Sequence, residues 1–146
     1  MNRLFIDANI LLDALLQREE NATDAMQLLS LGAQRKVRLL TTAISVDAVL
    51  YQLQRSEADK KGVRLKSAQH ILTDLLSCVE LVPVEAEHFL QSISSTFGDI
   101  EDGAQYFAVS SVGKLNGVVS RDSDFDGHIG VKRLSAKQAL QLIKQK

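Results

Sequence analysis

The segment LFIDANILLDALL, residues 4–16, changes from apolar to polar and back to apolar within a few positions. Leu4-Phe5-Ile6 is a short apolar run typical of a buried strand, and Asp7-Ala8-Asn9 is a polar break after it. From Ile10 to Leu16 the apolar residues return and begin a helix. The segment therefore predicts a strand that leads into a helix, with Asp7 at the C-terminal tip of the strand.

The same alternation of strand and helix continues along the chain. Further strands are predicted at Val37–Leu40, closed by Thr41 and Thr42, at Val79–Val82, at 117–120 and, as a possible fifth, at Val131–Leu134. Helices are predicted at Ala22–Ala33, from Ser45, at Leu65–Leu76, at Glu85–Ile93, at Asp99–Val112 and from Ser135. Parallel strands need crossover connections, which helices usually supply. The pattern predicts an α/β fold, a three-layer α/β/α sandwich whose mostly parallel central sheet has four to five strands.

Composition and length limit the class of protein. The 146 residues, without repeat, low-complexity tract or linker, indicate a single domain over 1–146. No apolar run approaches the roughly 20 residues of a membrane span, and no N-terminal signal fits, so we expect a cytoplasmic protein. The only cysteine, Cys78, is predicted to be a buried thiol with no catalytic role. The net charge of −1 argues against a protein that holds nucleic acid by bulk electrostatics.

Four aspartates are predicted at one edge of the sheet. Asp7 follows the first strand, Asp47 lies in the first turn of the helix after the second, Asp102 enters a later helix, and Asp122 follows the fourth strand. Ligand sites in such folds lie at the carboxyl ends of the strands. Clustered carboxylates repel one another, and a bound cation relieves that repulsion. Together these residues predict a metal site.

The carboxylate ligands indicate that the metal is magnesium or manganese and not zinc. Magnesium and manganese prefer oxygen ligands, whereas zinc favours His and Cys. His70, His88 and His128 are scattered, without a partner at metal-site spacing, and are interpreted as surface or structural residues.

Ordinary structural uses remain open for several of these acids taken singly. Asp99 resembles a helix N-cap, and Glu101 and Asp102 would favour the helix dipole. Asp122 and Asp124 could form turns. With Asp126 they resemble a calcium loop, but loop position twelve, which requires an acid, is Arg133. Only the joint placement of the acids favours a site.

Three motifs resemble the PIN-domain family. Residues 5–9, FIDAN, match its early strand followed by Asp-x-Asn, residues 98–106, GDIEDGAQY, match its acidic segment with Asp102 as the matching acid, and residues 120–125, SRDSDF, match its last element. Their order, with 95 residues from Asp7 to Asp102 and 20 more to Asp122, spans almost the whole chain. One position departs: the family usually places Glu where this chain has the shorter Asp47.

The resemblance implies an Mg²⁺- or Mn²⁺-dependent ribonuclease, as in small bacterial PIN toxins that a cognate antitoxin inhibits, and it implies a homodimer. Asp7, Asp102 and Asp122 would hold the metal, Asp47 would orient a water, and Arg121 would contact a phosphate of the RNA substrate. Side chains expected to fix the ligands are Asn9, Ser120, Asp99 and Asp124.

Other interpretations are weaker or remain open. A haloacid-dehalogenase-like phosphatase needs a second Asp where this chain has Asn9, and a receiver domain needs an Asp after the strand that here runs into Pro83. A cluster of basic residues is interpreted first as a solvated helix face and second as an RNA contact: Arg55, Lys60, Lys61, Arg64 and Lys66. The open alternative is a catalytically weak or inactive PIN-like module that binds RNA or protein, because Asp47 is shorter than the usual Glu.

Overall fold

The computed structural model describes residues 1–17, 21–56, 61–127 and 130–145, without the side chains of residues 56 and 61–67. Helices and strands alternate along these ranges. In chain order the elements are β1 Arg3–Ile6, α1 Ala8–Leu15, α2 Ala22–Ala33, β2 Arg38–Thr42, α3 Ala43–Ser56, α4 Lys61–Cys78, β3 Glu80–Val82, α5 Ala86–Ile93, α6 Ile100–Ser111, β4 Gly117–Val119, β5 Arg133–Leu134 and α7 Ala136–Lys144.

The strands of the described residues form one five-stranded sheet in the order β3-β2-β1-β4-β5. Every pairing is parallel. The carboxyl ends of all the strands therefore meet at one edge, and β1, which ends at Asp7, is central. The predicted α/β class with a parallel central sheet is confirmed.

Helices cover both faces of this sheet because the side chains of β1 alternate between them. Leu4 and Ile6 belong to the larger core, which also contains buried side chains of α1, α2, α3, α4 and α7. Phe5, between them in sequence, belongs to the second core, with Val109 of α6 and Phe125. Each core lies between the sheet and the helices on one face, so the molecule has three layers: helices, sheet and helices.

Several element boundaries differ from the predicted ones. Helix α1 begins at Ala8 because Asp7 caps it, and strand β2 continues through Thr41 and Thr42, which are fully buried. Helix α3 then follows without a loop from Ala43, so Asp47 lies in its second turn; the predicted position in a first turn was wrong.

Two smaller predictions have different outcomes. Cys78 was predicted to be a buried thiol, but it is only half-buried, and its thiol donates to the carbonyl of Asp74 at 3.3 Å. His88 is structural: its Nδ1 accepts a hydrogen bond from the backbone N–H of Glu85 in a capping box.

Among the helices of the described ranges, none combines the length and the apolar character that crossing a membrane requires.

Candidate metal centre

Asp7 occupies the centre of the carboxyl edge. Its backbone N–H continues the β1–β4 pairing by donating to the carbonyl of Val119 at 3.0 Å, and its Oδ1 accepts from the N–H of Ala8 at 2.8 Å as the N-cap of α1. Its Oδ2 accepts from the hydroxyl of Ser120 at 2.6 Å and from Nδ2 of Asn9 at 3.2 Å. With 6% of its surface exposed, Asp7 is held in one orientation.

Helix α6 brings two more carboxylates to the same edge. Asp99 is its N-cap, and its Oδ1 accepts from the backbone N–H of Asp102 at 3.0 Å. The capping role predicted for Asp99 is confirmed, and the same bond fixes the first turn of the helix in front of Asp7. Asp99 is exposed, whereas Asp102 is half-buried.

The turn after β4 supplies the remaining acids. Asp122 caps a short 3-10 helix, Ser123–Phe125, by accepting from the N–H of Asp124 at 2.9 Å. Its own N–H donates to the Ser120 hydroxyl at 3.0 Å, so Ser120 joins this turn to Asp7. Phe125 is fully buried against the ring of Phe5, which anchors the turn to the sheet.

The charges of these acids act on one another. Burial raises the pKa of Asp102 to about 8, assisted by the charges of Asp7, Asp99 and Asp122 and by a hydrogen bond between the carboxyls of Asp102 and Asp122. Burial also raises the pKa of Asp7, although its bonds from Ser120 and Ala8 oppose the rise. Repulsion of this kind is what a bound cation would relieve.

The donor set fits a hard divalent cation. One oxygen each from Asp99, Asp102 and Asp124 lies within 4.8 Å of the others, a spacing that allows shared ligation of one ion. All of these donors are carboxylate oxygens, which suit Mg²⁺ or Mn²⁺. Asp7 and Asp122 lie near this group, since their charges raise the pKa of Asp102.

A family model described as a PIN domain matches residues 3–124 of this chain. This range contains every acid of the cluster. The chain belongs to the PIN-domain family. PIN domains are generally nucleases that use divalent metal, which agrees with the acidic edge of the sheet.

Solved structures share the PIN fold at low sequence identity. The crystal structure of VapBC2 from Rickettsia felis, bound to a DNA fragment from their promoter, contains a chain with a TM-score of 0.62 and 14% identity, matched over 91% of this chain and 98% of that one. PAE2754 from Pyrobaculum aerophilum gives a TM-score of 0.64 and 13% identity over 99% and 98% of the two chains. No curated protein sequence matches. These likenesses show the fold alone.

In this PIN domain, Asp47 is not one of the three acids whose oxygens lie within 4.8 Å of one another among the described residues. Its carboxylate is exposed on α3 and lines a surface depression together with Tyr51 and Glu101. The charges that raise the pKa of Asp102 come from Asp7, Asp99 and Asp122. The role of Asp47 in orienting a water stays a prediction.

Arg121 lies at the rim beside Asp122 and forms an ion pair that the sequence analysis did not foresee. Its Nη2 donates to Oδ1 of Asp13 at 2.9 Å. The Asp13 side chain is 1% exposed and the Arg121 side chain 45% exposed, so the guanidinium reaches from solvent to a buried carboxylate of α1. A polar residue within the apolar face of α1 was the signal available in the sequence.

A second unforeseen group supports α6. Gln105 is buried, and its Oε1 accepts 2.6 Å hydrogen bonds from the hydroxyls of Thr42 and Ser45. Gln105 lies three residues after Asp102, one helical turn away on a similar face. It therefore fixes the helix that carries Asp102 to the end of β2 and the start of α3.

Of the basic cluster named from the sequence, only Arg55 has a described side chain. Lys60 and His128 lie outside the described residues, as do the side chains of Lys61, Arg64 and Lys66.

Proposed function

We propose that this PIN domain is an endoribonuclease that hydrolyses phosphodiester bonds of RNA and requires Mg²⁺ or Mn²⁺. The observation that carries the proposal is the convergence of carboxylates on Asp102, whose pKa rises to about 8. A protein gains nothing in stability from such repulsion, so its presence at the carboxyl edge favours a cation site.

Three carboxylates are proposed as the metal ligands: Asp7, Asp102 and Asp122. Asp99 and Asp124, expected to fix the ligands, offer carboxylate oxygens within 4.8 Å of one from Asp102 and are proposed to support it. When bound, the metal would polarise a phosphate and lower the pKa of an attacking water. The hydrogen bonds from Ser120 and Asn9 to Asp7 would keep that carboxylate in place during binding.

Two further residues are proposed to act on the substrate side of the cluster. Arg121 would contact a phosphate, because nearly half of its side chain remains exposed while Asp13 holds its guanidinium. Asp47 would act from α3 without direct coordination, orienting a water as its exposed carboxylate permits.

A role as the toxin of a toxin–antitoxin pair is proposed on the fold of the Rickettsia felis neighbour, whose structure is that of VapBC2. The partner would be an antitoxin protein, and the target would be cytoplasmic RNA. A homodimer is proposed as well, since Phe89, Leu90 and Ile93 of α5 leave apolar side chains exposed.

The test is cleavage of a mixed RNA pool by the purified protein with manganese or magnesium, beside an EDTA control. Asp7→Asn should abolish cutting because it removes a proposed ligand. The matched control is Asp74→Asn, which removes the same charge from an exposed position on α4 and should cut at the wild-type rate. Cleavage that persists in Asp7→Asn would refute the site. Absence of cutting with any metal would favour the binding module.

A further inference from the structure

A surface depression of about 650 Å³ adjoins the acidic cluster on the outer side of α3. Its volume lies within the roughly 300–1,000 Å³ of ligand clefts. The residues that give it its chemistry are Ile44, Asp47, Leu50, Tyr51, Gln54 and Glu101. Its apolar part comes from α3, and its polar rim comes from α3 and from the first turn of α6.

Tyr51 presents an aromatic ring to this depression. The residue is 54% exposed, so more than half of its surface is open to solvent. The guanidinium of Arg55 lies 5.5 Å from the ring centroid, and its Nη1 donates to the Tyr51 hydroxyl at 2.9 Å. One face of the ring is thus covered by a cation and the hydroxyl is tethered, so the ring is held in place with surface left for a second planar group.

Acidic side chains line the depression, and a basic side chain, Arg55, lies outside it. Asp47 and Glu101 line it, so a phosphate inside would be repelled, whereas the N–H groups of a base edge would find carboxylate acceptors. Arg55, one helical turn beyond Tyr51, offers guanidinium donors to a phosphate outside. Glu101 directly precedes Asp102, so a nucleotide here would be close to the metal cluster.

We propose that this depression is a subsite for an unpaired RNA base, in which Tyr51 stacks on the base and Arg55 contacts the adjoining phosphate. The inference deepens the proposed ribonuclease function and rests on it. It requires the nucleotide bound at Tyr51 to be unpaired, because a base within a duplex has neither face free for the ring.

The absence of tryptophan from the chain allows a site-specific test. Tyr51→Trp puts one indole into the subsite, and Met26→Trp puts one on α2, at a residue 46% exposed and outside the depression. Each variant is titrated with a single-stranded octaribonucleotide of mixed sequence in calcium, an oxygen-ligated cation that compensates the acidic cluster. Manganese-dependent cleavage by both variants is measured separately.

We expect saturable quenching of the indole at position 51 and none at position 26, with duplex RNA ineffective at both. Tyr51→Ala should weaken binding of the octamer roughly 5- to 150-fold, the range of one lost base stack. Tyr51→Phe should bind within about twofold of the wild type, because it keeps the stacking ring.

Other outcomes separate the two proposals. Cleavage without quenching at position 51 overturns the subsite and leaves the nuclease standing. Quenching without cleavage supports the subsite and contradicts the nuclease. Quenching that depends on protein concentration in the absence of RNA assigns the face to a second copy of the chain and overturns the subsite.

Arg55 gives an independent measurement. Arg55→Gln removes one phosphate contact and should lower the slope of log affinity against log salt by about one, while Arg55→Lys keeps the charge and should retain the slope. An unchanged slope in Arg55→Gln contradicts the assigned phosphate contact.

Discussion

Asp7 and Asp102 belong to the same cluster, but different hydrogen bonds act on the pKa of each carboxyl. Asp7 is the more buried, but the Ser120 hydroxyl and the Ala8 N–H both donate to it and favour its charged form. The carboxyl of Asp102 is instead bonded to that of Asp122, an arrangement that needs a shared proton. With the pKa of Asp102 raised to about 8, a cation that binds the cluster at neutral pH would displace a proton.

The stability of the metal-free protein should consequently fall as the pH rises. The pKa of Asp102 is about 8 in the folded protein against an ordinary 3.8. Between those values the folded state binds more protons than the unfolded state, so the stabilisation present below pH 3.8 is lost as pH rises through 8. Asp102→Asn cannot ionise, and in EDTA at pH 9 we expect it to be more stable than the wild type by roughly 1–2 kcal/mol, a value discounted for solvent screening.

Thermal unfolding in EDTA at pH 5, 7 and 9 measures this effect. The difference in Tm between Asp102→Asn and the wild type should grow with pH. Asp74→Asn removes an exposed ion pair with His70 at 3.5 Å, which contributes little to stability, so this control should show no comparable trend. A constant difference across the three pH values contradicts the assigned titration.

At the scale of elements, buried polar contacts fix the helices that carry the acids. Asp13 and Arg121 join α1 to the turn after β4, and Gln105 joins α6 to β2 and α3. Such contacts add little net stability but leave costly unpaired groups when one partner is removed. They therefore specify one arrangement of the elements around the candidate metal site.

Replacing Gln105 tests this. Gln105→Leu removes the acceptor for two buried hydroxyls, Thr42 and Ser45, and should destabilise the fold by about 2–4 kcal/mol. Urea unfolding gives the value, and cleavage under native conditions should fall with it because α6 carries Asp99 and Asp102. The control Gln34→Leu, whose amide bonds only the exposed Ser30 hydroxyl at 3.0 Å, should cost under about 0.5 kcal/mol. Equal losses in both variants would contradict the role given to Gln105.

Part of the candidate site could be predicted from the sequence, and these long-range contacts could not. The strand tips with Asp7 and Asp122, and the cap at Asp99, depend on neighbouring residues and were predictable. Gln105 and Thr42 are 63 positions apart, so their bond depends on tertiary packing that no local pattern encodes. The position of Asp47 in a second turn was not predicted either, because α3 follows β2 directly from Ala43 and not from Ser45.

On the scale of the whole molecule, the acids that raise one another's pKa lie at one edge of the sheet, although the net charge is only −1. The carboxyl edge of the sheet carries the acid cluster. At the opposite edge, a hydrogen bond from Arg38, together with the charges of Arg38, Arg3 and Arg35, holds the pKa of Glu80 below its usual value. Among the described residues, carboxylates raise one another's pKa at the candidate metal site, and a single divalent cation bound there would relieve this repulsion.

Manganese should therefore stabilise the entire domain, since one domain unfolds as a unit and the unfolded chain lacks the site. At a hundredfold excess over its Kd the cation contributes about 2.7 kcal/mol, which corresponds to a rise in Tm of roughly 5–11 °C for a domain of this size. Differential scanning fluorimetry against manganese concentration measures it. Asp7→Asn should lose most of the rise in Tm, and Asp74→Asn should keep all of it. Because the measurement needs no RNA, equal rises in the two variants would refute the metal site whatever the substrate is.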